Sequence, residues 1–284
     1  MEIKSVGVIG AGTMGNGIAH VFAKSGYDVT LVDVEQRFLD RGVETIKKNL
    51  EREVAKEKIT AAARDAAVTR IKPTTDRAQL AACDFVVEAA SERFDIKTEL
   101  FGELDKLCRP EVILSSNTSS ISITKLAAVT KRPDRVIGMH FFNPVPMMKL
   151  VEVIRGLATS DDTFATVKAL AEKLEKTPVE VNDAPGFVSN RVLMPLLNEA
   201  MYTVMEGVAT PQAVDEVFKL GMAHPMGPLT LADFIGLDVC LDIMRVMLDG
   251  LGDPKYRPCP LLIKMVDAGW LGRKSGRGFY TYGA

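Results

Sequence analysis

The sequence predicts an α/β protein in which a mostly parallel sheet is followed by a second, all-helical domain. Through residues 1–184, short apolar segments rich in β-branched residues alternate with segments of helical periodicity, as in a chain of βαβ units. Across residues 185–284 the helical periodicity continues with proline and glycine punctuation, but the strand signal almost disappears. We place the boundary inside DAPGFVSNR and expect two domains, 1–184 and 185–284.

The first βαβ unit is the clearest part of the pattern. A buried strand, IKSVGVI over residues 3–9, leads into a glycine-rich turn and a helix that Gly26 ends. The strand YDVTLVDV, over residues 27–34, follows. A strand, a glycine turn, a helix and a second strand within about 30 residues are typical of a Rossmann-type domain.

The remaining elements continue the alternation. Residues 35–70 are charged and almost free of glycine and proline, which predicts a pair of helices. The later segments predict strands at 83–90, 148–154 and 178–183, and helices at 92–108 and 161–176. Residues 111–120 predict a strand that runs into a polar loop, and residues 134–144 a strand that runs into a turn. In the second domain, LADFIGLDVCLDIMRVML (231–248) reads as one helix that is apolar beyond a single face.

Composition excludes several classes of protein. The 35 basic and 37 acidic residues give a net charge of −2, which argues against a nucleic-acid binder driven by counterion release. The four cysteines lack metal-ligand spacing, so we expect no metal site and a reducing compartment. No apolar run reaches the roughly 18 residues that span a bilayer, and the N-terminus does not read as a signal peptide. We therefore expect a cytoplasmic protein that does not bind membranes.

The glycine-rich turn predicts dinucleotide binding. Its fingerprint, GAGTMG, comprises Gly10, Ala11, Gly12, Thr13, Met14 and Gly15. Gly10 permits the tight turn, Gly12 lets the backbone approach a pyrophosphate, and Gly15 lets the helix pack close to the strand. The helix N-terminus then offers N–H groups and a partial positive charge to the phosphates. A glycine turn without a ligand is the alternative, but the flanking strand and helix favour binding.

Asp33 indicates which dinucleotide is bound. It ends the second strand, 18 residues after Gly15. A carboxylate at this point accepts hydrogen bonds from the ribose 2′-hydroxyl of NAD and repels the 2′-phosphate of NADP. Arg37 lies close by in the sequence and could accommodate that phosphate instead. We give the carboxylate more weight and predict NAD.

Hydride transfer needs a group that handles the proton of the substrate hydroxyl, and histidine suits this role at neutral pH. The chain has three histidines. His140 ends a predicted strand of the nucleotide-binding sheet, where ligands of open α/β sheets collect. His20 lies inside the first helix and His224 in a loop before a proline, so both are better interpreted as structural. His140 is the predicted catalytic residue.

Glu152 is a candidate partner for that histidine. The turn NPVP separates their two strands and could fold the second back beside the first, which would place Glu152 opposite His140. The carboxylate would then orient the imidazole and stabilise its protonated form. The alternative is a surface carboxylate on an edge strand, and spacing alone does not decide between the two.

Several longer motifs then carry a resemblance. HFFNPVPMMKLVEVIRG, SSNTSSISIT, DAPGFVSNR and HPMGPLTLADFIGLD resemble the short-chain L-3-hydroxyacyl-CoA dehydrogenase family, over essentially the whole chain. Among its members, the chain is most similar to bacterial ones that act on 3-hydroxybutyryl-CoA. The resemblance implies NAD-dependent interconversion of acetoacetyl-CoA and (S)-3-hydroxybutyryl-CoA, and the handedness at C3 comes from the resemblance alone.

The resemblance also assigns site residues. It implies that His140 is the general acid/base with Glu152 as its partner, and that Ser119 and Asn190 contact the substrate oxygen. Donors at these positions could stabilise the alkoxide that forms when the ketone at C3 is reduced. Asn190 would come from the first helix of the second domain.

Three further residues are implied to lie at the cofactor. Glu92 and Lys97 would lie beside it, and Asn117 near the nicotinamide ribose or carboxamide. Ordinary explanations exist for the first two. Glu92 suits the first turn of a helix because of the helix dipole, and Lys97 suits an exposed helix position.

Coenzyme A requires contacts for its phosphates. Lys48, Arg52 and Lys56 are spaced four apart and share one face of the predicted long helix, a region that family members use for this purpose. Glutamates are interleaved among them, and such a pattern also fits a solvated face with i,i+4 ion pairs. Both interpretations remain open on the sequence.

The second domain has more apolar surface than its own core needs. Leu, Met and Val recur at helical spacing, and the segment 231–248 requires burial on several sides. Members of the resembled family dimerise through this domain. We therefore expect a homodimer formed by residues 185–284.

Two rival functions fit the same scaffold. A dehydrogenase of a free hydroxy acid or sugar acid would leave the basic residues at 48–56 without a role. A non-catalytic NAD-binding protein would have no need to keep the four residues His140, Glu152, Ser119 and Asn190 together.

Overall fold

The computed structural model describes residues 2–283, which form two compact units; the first ends at Asp183 and the second begins at Ala184. The strands of the first unit are β1 (Ser5–Ile9), β2 (Asp28–Val32), β3 (Ile71–Thr74), β4 (Phe85–Glu88), β5 (Ile113–Ser116), β6 (Val136–Phe141), β7 (Leu150–Arg155) and β8 (Thr177–Asn182). Its helices are α1 (Thr13–Lys24), α2 (Gln36–Ala55), α3 (Ala61–Thr69), α4 (Phe94–Leu107), α5 (Ile123–Ala127) and α6 (Asp161–Lys173).

The strands form one mostly parallel sheet, as predicted. Its order is β3-β2-β1-β4-β5-β6-β7-β8. Every neighbouring pair is parallel except β6 and β7, which are antiparallel. The order changes direction at β1, between β2 and β4, so the connections on the two sides leave in opposite directions and open a crevice at the carboxyl ends of these strands.

Apolar strands and helix faces build the core of this unit. Every residue of β4, β5 and β6 is buried, as expected for central parallel strands with helices on both faces. Helix α2 is amphipathic and buries Leu39, Ile46 and Leu50. Each fully buried side chain of this size contributes about 1.5–3 kcal/mol through the hydrophobic effect.

Three local features differ from the sequence predictions. Strand β3 was not predicted because it is short and contains Pro73, which is tolerated at a sheet edge. Helix α5 was not predicted either because it spans only five residues. The prediction of one helix over 231–248 is wrong. Gly236, with φ of +106°, interrupts it in a conformation that side chains other than glycine rarely adopt.

The regular elements of the second unit are helices, and isolated β-bridges join Arg277 to Gly272 and to Thr281. Its helices are α7 (Ser189–Met205), α8 (Pro211–Glu216), α9 (Pro228–Ile235), α10 (Leu237–Leu251) and α11 (Pro260–Asp267). They surround a separate core that includes Met194, Leu229, Leu241 and Met244. The methionines thus serve mainly as core side chains, where their flexible thioethers fill irregular gaps.

Candidate active site

The glycine loop joins β1 to α1 in the geometry that the fingerprint predicts. Gly10 has φ of +96°, and a Cβ there would lie 2.5 Å from the carbonyl oxygen of Ala89. At Gly15 a Cβ would lie 1.7 Å from the Gly10 carbonyl oxygen, so α1 can approach β1 this closely only without a side chain. A Cβ on Gly12 would meet nothing within 4 Å. The backbone at Gly12 therefore borders open space that a ligand can enter.

A groove of about 1060 Å³ runs along this loop. Asp33, just beyond β2, lines it together with the segment Asn143–Pro146 that follows β6. The Asp33 carboxylate accepts hydrogen bonds from the backbone N–H groups of Ala11 and Val34, both at 2.7 Å. These contacts hold a negative charge beside the glycine loop.

Arg37, whose positive charge could favour the 2′-phosphate of NADP, contacts two residues close to it in the sequence. Arg37 forms an ion pair with Glu35 at 2.6 Å and lies over the ring of Phe38, 4.8 Å from its centroid. Of the two residues weighed from the sequence, Asp33 lines the groove and Arg37 does not.

His140 and Glu152 face each other across the β6–β7 hairpin. The two residues are directly opposite in the antiparallel register. Nδ1 of His140 lies 2.8 Å from Oε2 of Glu152, and the residues are 8% and 3% exposed. The predicted pairing is thus confirmed as geometry. The edge-strand alternative is wrong because β8 covers the far side of β7.

Neighbouring groups fix the end of β6 around His140. The ring of Phe142 lies 4.7 Å from the imidazole, centroid to centroid. Oδ1 of Asn117 accepts a hydrogen bond from the Phe141 backbone N–H at 2.9 Å, and the Asn117 N–H donates to the Glu88 carbonyl oxygen at 2.7 Å. Asn117 therefore joins the carboxyl ends of β4, β5 and β6. Its contact with nicotinamide stays a prediction.

The loop that carries Ser119 is built around Glu92. Oε1 of Glu92 accepts hydrogen bonds from the N–H groups of Ser119 and Ser120 at 2.9 and 3.2 Å, and from the Thr118 hydroxyl. Burial alone would raise the pKa of Glu92, but the positive charge of Lys97 and these hydrogen bonds lower it below its usual value. The carboxylate is therefore charged and organises the loop. Glu92 also precedes α4, which begins at Phe94, so the alternative explanation of Glu92 as a residue of the first helical turn is wrong.

Lys97 is buried, which contradicts the ordinary explanation of an exposed helix lysine. The residue is 1% exposed, and its Nζ lies 2.6 Å from Oε1 of Glu88 and 3.4 Å from Oε2 of Glu92. Glu88 itself was not predicted as a site residue. The available signal was a glutamate at the end of the buried strand FVVE, since glutamate is almost never fully buried unless it is paired. The contact of Lys97 with the cofactor stays a prediction.

The predicted coenzyme A residues are not among the residues that line this groove. Lys48 and Arg52 are exposed on α2, Lys48 3.4 Å from Glu44, whereas Lys56 follows the last helical residue. The residues by which α2 lines the groove are Phe38, Arg41, Gly42, Thr45 and Asn49. Arg52 lies one turn beyond Asn49, and its Nη1 is 3.4 Å from the Asn49 Oδ1. Phosphate binding by the three basic residues stays a prediction.

The remaining sequence candidates are an asparagine of the second unit and two histidines. Asn190 is a buried residue in the first turn of α7, in the second unit. His20 is fully buried within α1, with Nε2 3.1 Å from Oε1 of Glu53. His224 packs against Phe218 with 5.3 Å between the ring centroids. The substrate contact of Asn190 stays a prediction.

Two models of known protein families match this chain, one over each of its two parts. The family model for the 3-hydroxyacyl-CoA dehydrogenase NAD binding domain matches residues 5–184, and that for the C-terminal domain matches residues 186–282. The chain belongs to the 3-hydroxyacyl-CoA dehydrogenase family. It is therefore an NAD-dependent oxidoreductase, and the family resemblance seen in the sequence motifs is confirmed.

Relatives of this 3-hydroxyacyl-CoA dehydrogenase match it from end to end. A protein of Bacillus subtilis named "Probable 3-hydroxybutyryl-CoA dehydrogenase" is 60% identical over 99% of this chain and 98% of its own. The 3-hydroxybutyryl-CoA dehydrogenase of Bradyrhizobium diazoefficiens is 56% identical over 99% of this chain and 96% of its own. The crystal structure of (S)-3-hydroxybutyryl-CoA dehydrogenase from Ralstonia eutropha matches with a TM-score of 0.97 at 53% identity, covering all of both chains.

The residues of this dehydrogenase fit NAD. Open space in front of Gly12 leaves room for a pyrophosphate, and α1 begins at Thr13 and Met14 with no acidic residue in its first turn. No side chain of the described residues caps that turn, so its N–H groups are available to the phosphates of a dinucleotide. The carboxylate of Asp33 suits a ribose hydroxyl.

Neither a metal site nor a membrane span is found within residues 2–283. No three His, Cys, Asp or Glu side chains in this range are grouped so as to hold a metal ion. None of the helices in this range combines the length and apolar character of a membrane span.

Proposed function

We propose that this dehydrogenase interconverts acetoacetyl-CoA and (S)-3-hydroxybutyryl-CoA. The observation that carries the proposal is the buried contact between His140 and Glu152 at the carboxyl end of β6, in the same compact unit as the glycine loop. The printed names of the relatives support the four-carbon substrate. NAD bound in the groove supplies the hydride chemistry at C3 of the acyl chain.

In this proposal His140 handles the proton. Glu152 accepts the hydrogen bond from Nδ1–H, which fixes the tautomer and leaves Nε2 to exchange the proton with the C3 oxygen. The carboxylate also stabilises the imidazolium that exists while the proton is held. During reduction the imidazolium gives its proton to the alkoxide, and during oxidation the neutral imidazole removes the hydroxyl proton.

We further propose that Ser119 and Asn190 donate hydrogen bonds to the C3 oxygen. A preorganised donor stabilises the charge that develops on this oxygen and is typically worth about 10²–10³-fold in rate. The hydrogen bond from the Ser119 backbone N–H to Glu92 supports this role, because it holds the serine in a fixed loop. The Ser119 hydroxyl itself donates to Glu92 at 3.3 Å and would turn from that carboxylate to the C3 oxygen when substrate binds. Glu92, Lys97 and Asn117 are proposed to border the cofactor.

Coenzyme A is proposed to bind through its phosphates to Lys48, Arg52 and Lys56. These side chains are exposed and positively charged, so they can bind phosphates without first breaking a buried contact. Charge reversal at Arg52 tests the assignment. Arg52→Glu is expected to raise the KM for acetoacetyl-CoA and leave the affinity for NADH unchanged.

The proposed assembly is a cytoplasmic homodimer formed by the second unit. Exposed apolar side chains support it, because their contact with a second copy would remove apolar surface from water. They are Val192, Val208, Val217, Leu220, Met222 and Phe234. Light scattering after gel filtration tests the dimer, which Leu220→Asp combined with Met222→Asp is expected to dissociate.

The proposed cytoplasmic location is supported by the free, buried cysteines, which fit a reducing compartment. Cell fractionation tests this location.

The function is tested by following NADH oxidation by absorbance. Acetoacetyl-CoA is compared with acetoacetate and with longer 3-ketoacyl-CoA substrates, and NADPH serves as the cofactor control. We expect rapid turnover with acetoacetyl-CoA and NADH. Equal rates with acetoacetate would favour a free hydroxy-acid dehydrogenase, and binding of NADH without turnover of any substrate would favour a non-catalytic protein.

A further inference from the structure

A buried carboxylate connects the ends of two central strands and a helix. Glu88, the last residue of β4, is 0% exposed. Its Oε1 lies 2.6 Å from Nζ of Lys97 on α4 and accepts a hydrogen bond from the Ala90 N–H at 2.6 Å. Its Oε2 accepts a hydrogen bond from the hydroxyl of Ser116, the last residue of β5, at 2.6 Å. The Glu88 side chain therefore joins β4, β5 and α4 at the carboxyl ends of the strands, where ligands of such sheets bind.

The contacts continue from Lys97 to the serine loop. The ammonium group of Lys97 also lies 3.4 Å from Oε2 of Glu92. The other oxygen of Glu92 accepts hydrogen bonds from the backbone of Ser119 and from both the backbone and the hydroxyl of Ser120. A continuous chain of charged and hydrogen-bonded groups thus runs from Glu88 to the loop.

Stability alone does not explain this arrangement. Removing a lysine and a glutamate from water is costly, and replacing a buried ion pair by well-packed apolar residues is often neutral or stabilising. A buried pair does fix geometry, however, because each charge must remain close to its partner. Here the pair is connected through Glu92 to the loop that carries a proposed substrate contact.

We infer that Glu88 and Lys97 are positioning residues that hold Glu92, and through it the Ser119–Ser120 loop, in the place where the Ser119 hydroxyl meets the substrate oxygen. The inference rests on the proposed function, in which Ser119 makes that contact. Neither Glu88 nor Lys97 needs to touch the substrate, since their effect passes through Glu92.

The first test measures the loop and needs no catalytic activity. Hydrogen exchange followed by NMR reports the N–H groups of Ser119 and Ser120 in the full-length protein. Glu88→Gln removes the charge that holds Lys97 and is expected to speed their exchange at least about threefold, because opening of the loop becomes easier. Glu111→Gln, an exposed glutamate, is the matched control and should leave exchange unchanged. Unchanged exchange in Glu88→Gln would overturn the inference.

The second test is a double-mutant cycle on kcat for acetoacetyl-CoA reduction. Glu88→Gln is expected to lower kcat roughly tenfold, since small misplacements of a reacting geometry are expensive in rate. NADH is kept at a saturating concentration throughout, because Glu88→Gln also disturbs Lys97 and Glu92, which are proposed to border the cofactor. In a Ser119→Ala background Glu88→Gln should have almost no further effect, because the two residues act through one contact. Independent, multiplying effects would overturn the inference.

A third variant separates positioning from folding. Glu88→Leu combined with Lys97→Met replaces the pair by apolar groups, so neither charge is left buried without its partner and the variant is expected to fold. Its melting temperature should fall only by the loss of the acceptor for the Ala90 N–H and the Ser116 hydroxyl. The kcat should still fall as in Glu88→Gln. A stable double variant with wild-type kcat would contradict a positioning role. Wild-type protein that turns over no acyl-CoA would refute the proposed function, whereas the exchange experiment would still decide the inference.

Discussion

Nδ1 of His140 lies 2.8 Å from Oε2 of Glu152, and the two residues occupy directly opposed positions of an antiparallel strand pair. This pair is the point at which the otherwise parallel sheet reverses. The reversal matters chemically because it brings a carboxylate from the start of one strand beside a histidine at the end of the previous one. Parallel neighbours could not be joined by so short a turn.

Glu152→Gln tests what the carboxylate does for the histidine. The amide keeps the size of the side chain but removes its charge, so the imidazolium loses stabilisation and the tautomer is no longer fixed. We expect kcat to fall about 10–100-fold, with NADH affinity unchanged. Glu180→Gln, an exposed change on the adjacent strand β8, is the control. Wild-type kcat in Glu152→Gln would exclude an orienting role.

Asp33→Ser tests cofactor selection. Loss of the carboxylate removes a hydrogen-bond acceptor for the ribose hydroxyl and removes the repulsion of a 2′-phosphate. The ratio of kcat/KM for NADH to that for NADPH should fall at least about tenfold, which corresponds to 1.4 kcal/mol. Asp40→Ser changes an exposed aspartate of α2 and should leave the ratio unchanged. An unaltered ratio in Asp33→Ser would show that selectivity lies elsewhere.

Gly17→Ala tests the seating of the loop that follows β6. A Cβ at Gly17 would lie 2.8 Å from Cβ of Val145, which lines the groove and cannot easily move aside. We expect a loss of about 1–3 kcal/mol in the free energy of unfolding and a higher KM for NADH. Gly102→Ala in α4 is the matched control, since a Cβ there meets nothing within 4 Å and alanine favours the helix. Equal behaviour of the two variants would contradict the contact.

Glu53 should make stability depend on pH under acidic conditions. Its contact with buried His20, together with Lys24, lowers the pKa of Glu53 from 4.5 to about 2, against the opposing effect of burial. The folded state therefore binds fewer protons than the unfolded state between these values, so the stabilisation is complete above pH 4.5 and is lost as the pH falls through about 2.

Glu53→Gln should accordingly lower the free energy of unfolding at pH 7 by about 2–3 kcal/mol. The difference from the wild type should shrink below pH 4.5 and vanish near pH 2. Urea unfolding at several pH values measures it, with exposed Glu51→Gln as the control. A difference that stays constant from pH 7 to pH 3 would show that the charge of Glu53 is not responsible.

Periodic and local signals made much of this protein predictable. The βαβ unit, the glycine loop and Asp33 all follow from short stretches whose chemistry is determined by neighbours in sequence. The hairpin of β6 and β7 was predicted as a possibility, because a proline turn of known length limits how two strands can pair.

Other features depend on contacts between distant residues. Lys97 lies on a helix segment whose pattern fits an exposed side chain, and only the packing of α4 against β4 shows that it is buried beside Glu88. The arrangement of Thr118, Ser119 and Ser120 around Glu92 has no sequence signature either, because 26 to 28 positions separate the partners. Gly236 was visible in the sequence, but a glycine inside an apolar helical pattern does not always end a helix.

The most direct test of the central claim is single-turnover oxidation of NADH by His140→Ala with saturating acetoacetyl-CoA, together with NADH binding measured by fluorescence. If His140 supplies the proton, the variant should bind NADH as the wild type does, and its rate should fall at least about 10²-fold. A variant that binds NADH and oxidises it at the wild-type rate would contradict the assignment of His140 as the general acid/base.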